Sequence, residues 1–345
     1  MKNKYSLLKK INPSSTDKAL CRKIAGVIAG HRHFLICAHD HMDGDSLGSA
    51  LALGLALKKM GKSAHILLNT PVPCRYKFLP GIKTLGTVKP NWSKLQVLFA
   101  LDTAGWGQIA AKLPESFQGN HIINIDHHID NHRFGSINWI NTSASAVGEQ
   151  IFFLLKSIKV PLTDKIAACL YTSIVTDTGC FQFSNTTSIT HQIAAVLFNT
   201  GINPAKISTQ IYQSTPPERL KLLQSALSTL RYEYSRQIIW MKITRQMFVH
   251  AGAAREDAEG FIDELKAVAG TKVALIFKQE PNKKDIRVTF RSKNPRIMVN
   301  KIAHLFGGGG HPAAAGCTVT GNIDKVAGKV LHATIKIIRK AGPGD

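Results

Sequence analysis

Four short segments of this sequence gather the residue types that hold metal ions and move protons. The first, AHDHMDGDSLGS, places His39, Asp43 and Asp45 in a tight Gly-containing turn ahead of an apolar run. Imidazole beside carboxylates suits Mn²⁺, Fe²⁺ or Zn²⁺, whereas an all-oxygen set favours Mg²⁺ or Ca²⁺. The second, QVLFALD, ends at Asp102, and the third, HIINID, ends at Asp126 and runs directly into His127 and His128. In the fourth, IVTDTGCF, Asp177 closes an apolar helical pattern. Taken singly, each aspartate is explained by turn chemistry or helix capping. Four acid-bearing element ends in one chain are a more specific pattern. Carboxylates clustered away from water repel one another unless cations neutralise them or their pKa values rise. Bound metals are the economical solution, because two divalent ions roughly 4 Å apart, bridged by one Asp, position a hydroxide for in-line attack on a phosphoester.

For residues so far apart in sequence to meet, a sheet must carry them. An amphipathic helix is expected over 17–29, then a strand over 33–38. The segment 46–60, apolar nearly all round and stopped by Gly61, reads as a helix packed against a sheet. Further strands are expected at 64–68, 97–101 and 121–125, with helices at 144–157, 164–176, 188–199 and 204–212. Alternation of this kind indicates an α/β fold with a parallel sheet. The carboxyl ends of parallel strands share one edge, where open α/β folds place their ligands. The stretch STPPERLKLLQSALSTL then offers a turn, a Pro at a helix start and one helix to Leu230.

Beyond that helix the order changes to strand 237–243, helix 258–268, strands 273–278 and 286–290, helix 295–306, a glycine run and a helix over 325–340. The expected organisation is a catalytic metal-binding domain over 1–212, a helical linker over 213–230 and a smaller α+β domain over 231–345. The glycines Gly307 to Gly310, followed by His311, sit in AHLFGGGGHPAAAG between ordered-looking apolar flanks. Their backbone N–H groups can cradle phosphate oxygens, with His311 adding a donor. Upstream, IRVTFRSKNP puts Arg291 and Ser292 at a strand end, within a stretch (266–301) of ten basic and two acidic residues. Arg291 suits a bidentate phosphate contact and Ser292 a supporting one. The second domain thus reads as the half that grips an anion.

Composition narrows the classes further. With 345 residues, 44% hydrophobic, 19% charged and 7% aromatic, the chain falls among globular proteins and outside the disordered, collagen-like and disulfide-dense classes. The longest apolar run, near 50–57, falls far short of the roughly 18 residues that span a bilayer, so a cytoplasmic protein without membrane partners is expected. Six cysteines without a CxxC pair read as free thiols, several of them buried, and not as a zinc or disulfide framework. The net charge of +22 attracts polyanions, whether nucleotides, nucleic acids or an anionic membrane surface, and does not by itself choose among them.

In this order, HDHMDGDSLGS, ALDTAG, IDHH and VTDTG resemble the motifs of the DHH phosphoesterase superfamily, and FRS with GGGGHPAAAG is similar to its associated C-terminal substrate domain. The two-domain layout resembles the nano-RNase and pAp-phosphatase (NrnA-type) branch. The resemblance implies a two-metal site, usually served by Mn²⁺. His39, Asp43 and Asp102 would hold one ion and Asp45, Asp102, His127 and Asp177 the other, with Asp102 bridging. It further implies that Asp126 orients His127 and that His128 faces the substrate phosphate or the nucleophile. Arg291, Ser292, Gly309, Gly310 and His311 would recognise the substrate phosphate. His41-Met42 stands where an Asn-Pro or similar pair is common. The implied activity is release of mononucleotides from short oligoribonucleotides and linear dinucleotides, with 3′-phosphatase action on pAp as a second activity. A cyclic-dinucleotide phosphodiesterase and a non-catalytic nucleic-acid-binding module are the alternatives; the partners expected are short RNA, dinucleotides or pAp, and a homodimer is allowed.

Overall fold

The computed structural model describes residues 11–39, 43–68, 72–86, 91–110, 113, 121–279 and 284–340, and the chain divides into two compact units, Met1–Ser214 and Thr215–Asp345. In the first unit, α1 (Ser15–Gly30) leads into β1 (His33–Cys37), α2 (Gly44–Lys59), β2 (Ser63–Leu67), α3 (Ile82–Leu85), β3 (Val97–Leu101) and α4 (Gly107–Ala110). There follow β4 (His121–Asp126), β5 (Ile137–Ile140), α5 (Val147–Ser157), α6 (Asp164–Asp177), α7 (Ser188–Phe198) and α8 (Pro204–Tyr212). The five strands are all parallel, in the order β2-β1-β3-β4-β5.

Side chains alternate across this sheet with the strand period of two. Phe34, Ile36, Val97, Phe99 and Leu101 enter the large apolar cluster on one face, whereas Leu35, Cys37, Leu98 and Ala100 enter a smaller one on the other. Burial on both faces is why these strands read as continuous apolar runs. The strand order reverses between β1 and β3, and in doubly wound sheets the ligand crevice opens at the carboxyl ends of such a switch point. The strand β5, absent from the sequence expectation, extends the sheet beyond β4. Its four residues are too few for periodicity to mark, and a tertiary contact fixes it: Trp139 Nε1 donates to Asp17 Oδ1 at 2.6 Å and Asn141 Nδ2 to Asp17 Oδ2 at 3.2 Å.

The second unit runs α9 (Pro217–Leu227), β6 (Arg231–Glu233), β7 (Ile238–Ile243), α10 (Arg245–Ala251), α11 (Phe261–Ala267), β8 (Val273–Gln279) and β9 (Asp285–Ser292). It ends with α12 (Val299–His304), β10 (Gly309–His311), β11 (Ala314–Thr320) and α13 (Ile323–Lys340). Its sheet has the order β10-β11-β9-β8-β7-β6, parallel at β7–β8 and antiparallel elsewhere. One face buries Ile239, Met241 and Ile276 with residues of α9, α10 and α11. The other buries Leu275, Val288 and Phe290 with residues of α12 and α13. Within the stretch 213–230, expected to join the domains, α9 buries Leu222 and Ala226 in the first of these clusters.

This unit departs from the sequence expectation at several elements, β6 and β11 among the additions. The helix expected over 295–306 is confined to α12, α10 appears behind its Thr244 cap, and the glycine run becomes β10, paired with β11. β11 opens on Ala314, Ala315 and Gly316, which favour strands poorly, so pairing with β9 and β10 and not propensity carries that half of the strand. Gly310 has φ 128, and a Cβ there would lie 2.6 Å from the Ala314 carbonyl oxygen and 2.8 Å from Ala315 Cα. Only glycine fits that position. None of the six cysteines forms a disulfide, and Cys21, Cys37, Cys169 and Cys317 are buried. Among the described residues no helix is long and apolar enough to cross a membrane.

Candidate active site

At the carboxyl edge of the parallel sheet, β1 leads to His39, the start of α2 supplies Asp43 and Asp45, and β3 leads to Asp102. From the other side, β4 ends in Asp126 and leads to His127 and His128, and Asp177 closes α6. Asp43 starts α2 by reciprocal capping, accepting the Ser46 N–H at 2.9 Å while its own N–H donates to Ser46 Oγ at 3.0 Å. At Gly148 a Cβ would lie 2.0 Å from Ser173 Oγ, so glycine there lets α6 close on α5 and brings Ser173 to Asp45. Asp102 follows β3 with φ 53, a left-handed conformation that Asp tolerates better than most residues. His41 and Met42 lie outside the described residues.

His127 Nε2 lies 3.9 Å from Asp45 Oδ2, 3.8 Å from Asp102 Oδ1 and 3.7 Å from Asp177 Oδ2. His39 Nε2 is 3.4 Å from Asp102 Oδ2, and His128 Nδ1 is 3.5 Å from Asp102 Oδ1. Three overlapping groups each offer ligand atoms within 4.8 Å of one another: His39 with Asp43 and Asp102, Asp45 with His127 and Asp177, and Asp102 with His127 and His128. All six side chains expected to hold metal are therefore brought together.

The residues fit divalent cations on two grounds. Asp102 Oδ1 is buried without a hydrogen-bond donor, which leaves a carboxylate oxygen in need of a positive partner. His127 Nδ1 lies 3.1 Å from the Ala144 carbonyl oxygen. A carbonyl only accepts, so Nδ1 is the donor there and Nε2 is turned toward the three carboxylates, where a cation can take a ligand atom from each side.

The supporting hydrogen bonds correct one expectation. Asp126 does not orient the His127 ring, which the Ala144 carbonyl holds. Its Oδ1 instead lies 2.7 Å from His128 Nδ1 and accepts the His127 backbone N–H at 2.8 Å. Asp126 is thus the partner of the second histidine. Sequence reasoning also missed the amides around it. Asn131 Nδ2 donates to Asp126 Oδ2 at 2.6 Å and to Asn124 Oδ1 at 2.8 Å. Asn185 Nδ2 donates to the carbonyls of Ser145 and Asp177, both at 3.0 Å, and so ties down the end of α6. Asp45 accepts the Val147 N–H at 2.7 Å, the Gly148 N–H at 3.2 Å and Ser173 Oγ–H at 2.5 Å, the amides being the first turn of α5. Asn131→Ala removes the brace on Asp126, and turnover should fall by about 10- to 100-fold, as when outer partners of metal-site histidines are lost. Steady-state rates alongside metal content check this; a wild-type rate would contradict it.

The buried carboxylates divide in charge. Burial alone would raise Asp102, but the hydrogen bond from His39 and the charges of His128, His39 and His127 outweigh it and hold Asp102 well below the usual carboxylate range. Burial, with the charges of Asp102, Asp177 and Asp43, pushes Asp45 well above that range. Burial likewise pushes Asp177 up to about 7, the charge of His127 opposing and those of Asp43 and Asp102 assisting. For His128, burial is outweighed by Asp126 and Asp102, and the imidazole rises to about 10.

These directions predict how pH and metal act together. An unfolded Asp ionises near 4, as ordinary carboxyls do. A carboxyl raised to about 7 in the folded chain contributes stability that is complete below about 4 and lost as pH rises through about 7. A cation that neutralises Asp45 and Asp177 restores that loss, while at low pH it must displace protons. The rise in Tm on adding Mn²⁺ to metal-stripped protein should therefore grow between pH 5 and pH 8. A rise that is flat, or larger at pH 5, would contradict the assignment.

In the second unit, the register pairs Arg291 with Ala314 and Ala314 with His311, so Arg291 and His311 share a row and a face with only Ala314 between them. The adjoining row is Thr289, Gly316 and Gly309. Arg291 Nη1 donates to the Phe290 carbonyl at 3.1 Å, and its Nε lies 3.9 Å from Asp263 Oδ1. Ser292 is not brought to this face. It is buried, and its hydroxyl donates to the Asn294 carbonyl at 2.9 Å and accepts the Asn294 N–H at 3.2 Å.

A parallel sheet with a histidine and aspartate cluster at its switch point, followed by a mixed-sheet unit with a glycine strand, defines a two-unit metal-dependent hydrolase. The chain belongs to the DHH family: residues 33–174 match the DHH family, N-terminal domain, and residues 237–340 match the DHHA1 domain. It is 32% identical, over 308 residues, to the bifunctional oligoribonuclease and PAP phosphatase NrnA of Thermus thermophilus, covering 89% of this chain and 90% of that one. A protein of the same name from Bacillus subtilis is 30% identical over 292 residues, 82% of this chain and 89% of that one. The crystal structure of an exopolyphosphatase-related protein from Bacteroides fragilis shares the fold, with a TM-score of 0.85 at 21% identity, covering 94% of this chain and 98% of that chain.

Proposed function

We propose that the protein is a divalent-metal-dependent phosphodiesterase that releases mononucleotides from short oligoribonucleotides and linear dinucleotides and also removes the 3′-phosphate of pAp. The observation that carries the reading is Asp102, whose buried carboxylate belongs to two ligand groups and has one oxygen without a donor. The relatives named as oligoribonuclease and PAP phosphatase support the substrate class. His39, Asp43 and Asp102 would hold one ion, and Asp45, Asp102, His127 and Asp177 a second, with Mn²⁺ suited to the mixed nitrogen and oxygen donors. Bound there, divalent ions supply Lewis acidity to a phosphoryl group and lower the pKa of water.

The chain's own residues do the rest. Asp126 fixes the His128 ring through Nδ1. An imidazole raised to about 10 is protonated at neutral pH and can stabilise a phosphoryl oxygen or hand a proton to the leaving oxygen. Hydrolysis joins the water oxygen to phosphorus, breaks the ester P–O bond and leaves a proton on the departing hydroxyl. Arg291 and His311 suit the terminal phosphate of a short substrate, and the glycines beside His311 leave that face open.

Turnover of a 5′-phosphorylated diribonucleotide, a longer RNA, pAp and cyclic di-AMP with Mn²⁺ tests the reading. The diribonucleotide and pAp should be hydrolysed well ahead of the longer RNA and the cyclic dinucleotide. Preference for the cyclic dinucleotide, or no turnover of any of the four, would overturn it.

A further inference from the structure

The helix α13 carries a feature that hydrolysis does not use. Its inner side, including Val326, Val330 and Ile338, is buried against the sheet. On its outer side Lys325, Lys329, His332, Lys336, Arg339 and Lys340 are all exposed. At 3.6 residues per turn these six fall within an arc of roughly 100° and extend over about 22 Å of helix axis. The stripe is poor in counter-charge: across 286–340 the only acid is Asp324, and it pairs with Lys242 Nζ at 2.6 Å. Lys325, Lys329, Lys336 and Lys340 form no ion pair among the described residues. Acids of this unit gather instead along 256–264, at Glu256, Asp257, Glu259, Asp263 and Glu264. Such segregation goes beyond an evenly basic surface.

The stripe is also separate from the row of Arg291 and His311. Val288 and Phe290 of β9 point into the cluster that contains α13, and alternation along the strand sends Arg291 to the opposite face of the sheet. A helix built for a lipid surface would expose large apolar side chains beside its lysines. Among the described residues, none of the exposed large apolar side chains belongs to α13. Arg339 lies over the Tyr234 ring, 5.5 Å from its centroid, and the four lysines, without ion-pair partners or apolar anchors, match a chain of phosphates.

We propose that the outer face of α13 is a second RNA-binding surface, which holds the phosphate backbone of a single strand too long for the catalytic site. The inference rests on the reading that RNA is the substrate class. Anchoring on a longer RNA would raise the local concentration of enzyme where short fragments are released.

The test uses the full-length protein and a cleavage-resistant phosphorothioate 24-mer RNA. It compares a Lys329→Gln/Lys336→Gln/Lys340→Gln variant with a Lys23→Gln/Lys59→Gln/Lys94→Gln variant that removes equal charge from exposed sites of the first unit. Melting curves confirm that both remain folded. The α13 variant should bind roughly tenfold more weakly at 0.1 M salt, and its plot of log affinity against log salt should be shallower by about 2, as three lost phosphate contacts require. The other variant should resemble wild type. Diribonucleotide turnover should be unchanged in the α13 variant. Equal losses in both variants, no loss in either, or a loss confined to phosphatidylserine vesicles would overturn the proposal. Weakened RNA binding by the α13 variant, with no diribonucleotide turnover even in wild type, would uphold the surface and refute the catalytic reading.

Discussion

Asp102→Asn should abolish metal-dependent hydrolysis, by a factor on the order of a thousand or more, while leaving the fold intact. The size follows from the position: one carboxylate serves two ligand groups, so neutralising it weakens both at once. Asn is the right probe because residue 102 has φ 53, a conformation that Asn adopts readily and Ala does not. The buried Asp102 charge also raises the pKa values of His39 and His128 and those of Asp45 and Asp177. Loss of that charge should therefore shift the pH dependence of metal uptake as well as the rate. Circular dichroism, metal content and turnover of a diribonucleotide check the result together. A folded Asp102→Asn protein within tenfold of the wild-type rate would show that Asp102 does not join the two groups.

Gly310→Ala should unseat the β10–β11 pair. A φ of 128 is closed to L side chains, and the new Cβ would press on the Ala314 carbonyl oxygen at 2.6 Å and on Ala315 Cα at 2.8 Å. Both contacts are backbone, so no side chain can move aside. The expected cost is about 3 kcal/mol, combining backbone strain with overpacking. Because the two units have separate apolar clusters, the loss should fall on the second. Hydrogen exchange should speed up across 309–320, and KM for the diribonucleotide should rise as His311 leaves its row with Arg291, while metal binding by the first unit persists. Wild-type protection of 309–320 in the variant would refute this account of the glycine run.

The parts of the fold that read clearly from the sequence are those where two signals coincide. At β1, β3 and β4 a buried apolar run ends in an acid or histidine, and parallel strands then deliver those ends to a common edge. The elements that did not read clearly draw their stability from partners. β5 depends on the bond from Trp139 to Asp17, more than a hundred residues away. β11 opens on two alanines and a glycine held by β9, and β10, two glycines and a histidine, is held by β11.

In the site, Asp102 and the five side chains grouped with it were legible as candidates because hard-metal chemistry restricts residue type. The braces were not. Asn131 and Asn185 are single amides with no periodic or motif signal, and whether Asp126 holds the His127 or the His128 ring depends on rotamers. Ser292 is different, because alternation along a strand already puts it on the face opposite Arg291.

The most direct test of the central claim is the rate of mononucleotide release from a 5′-phosphorylated diribonucleotide by metal-stripped protein as Mn²⁺ is titrated in. The shared Asp102 predicts no release without metal, a rise that requires two bound ions per chain, and mononucleotide as the sole product. Folded, metal-loaded protein that leaves the diribonucleotide intact, or full activity with one ion per chain, would contradict it.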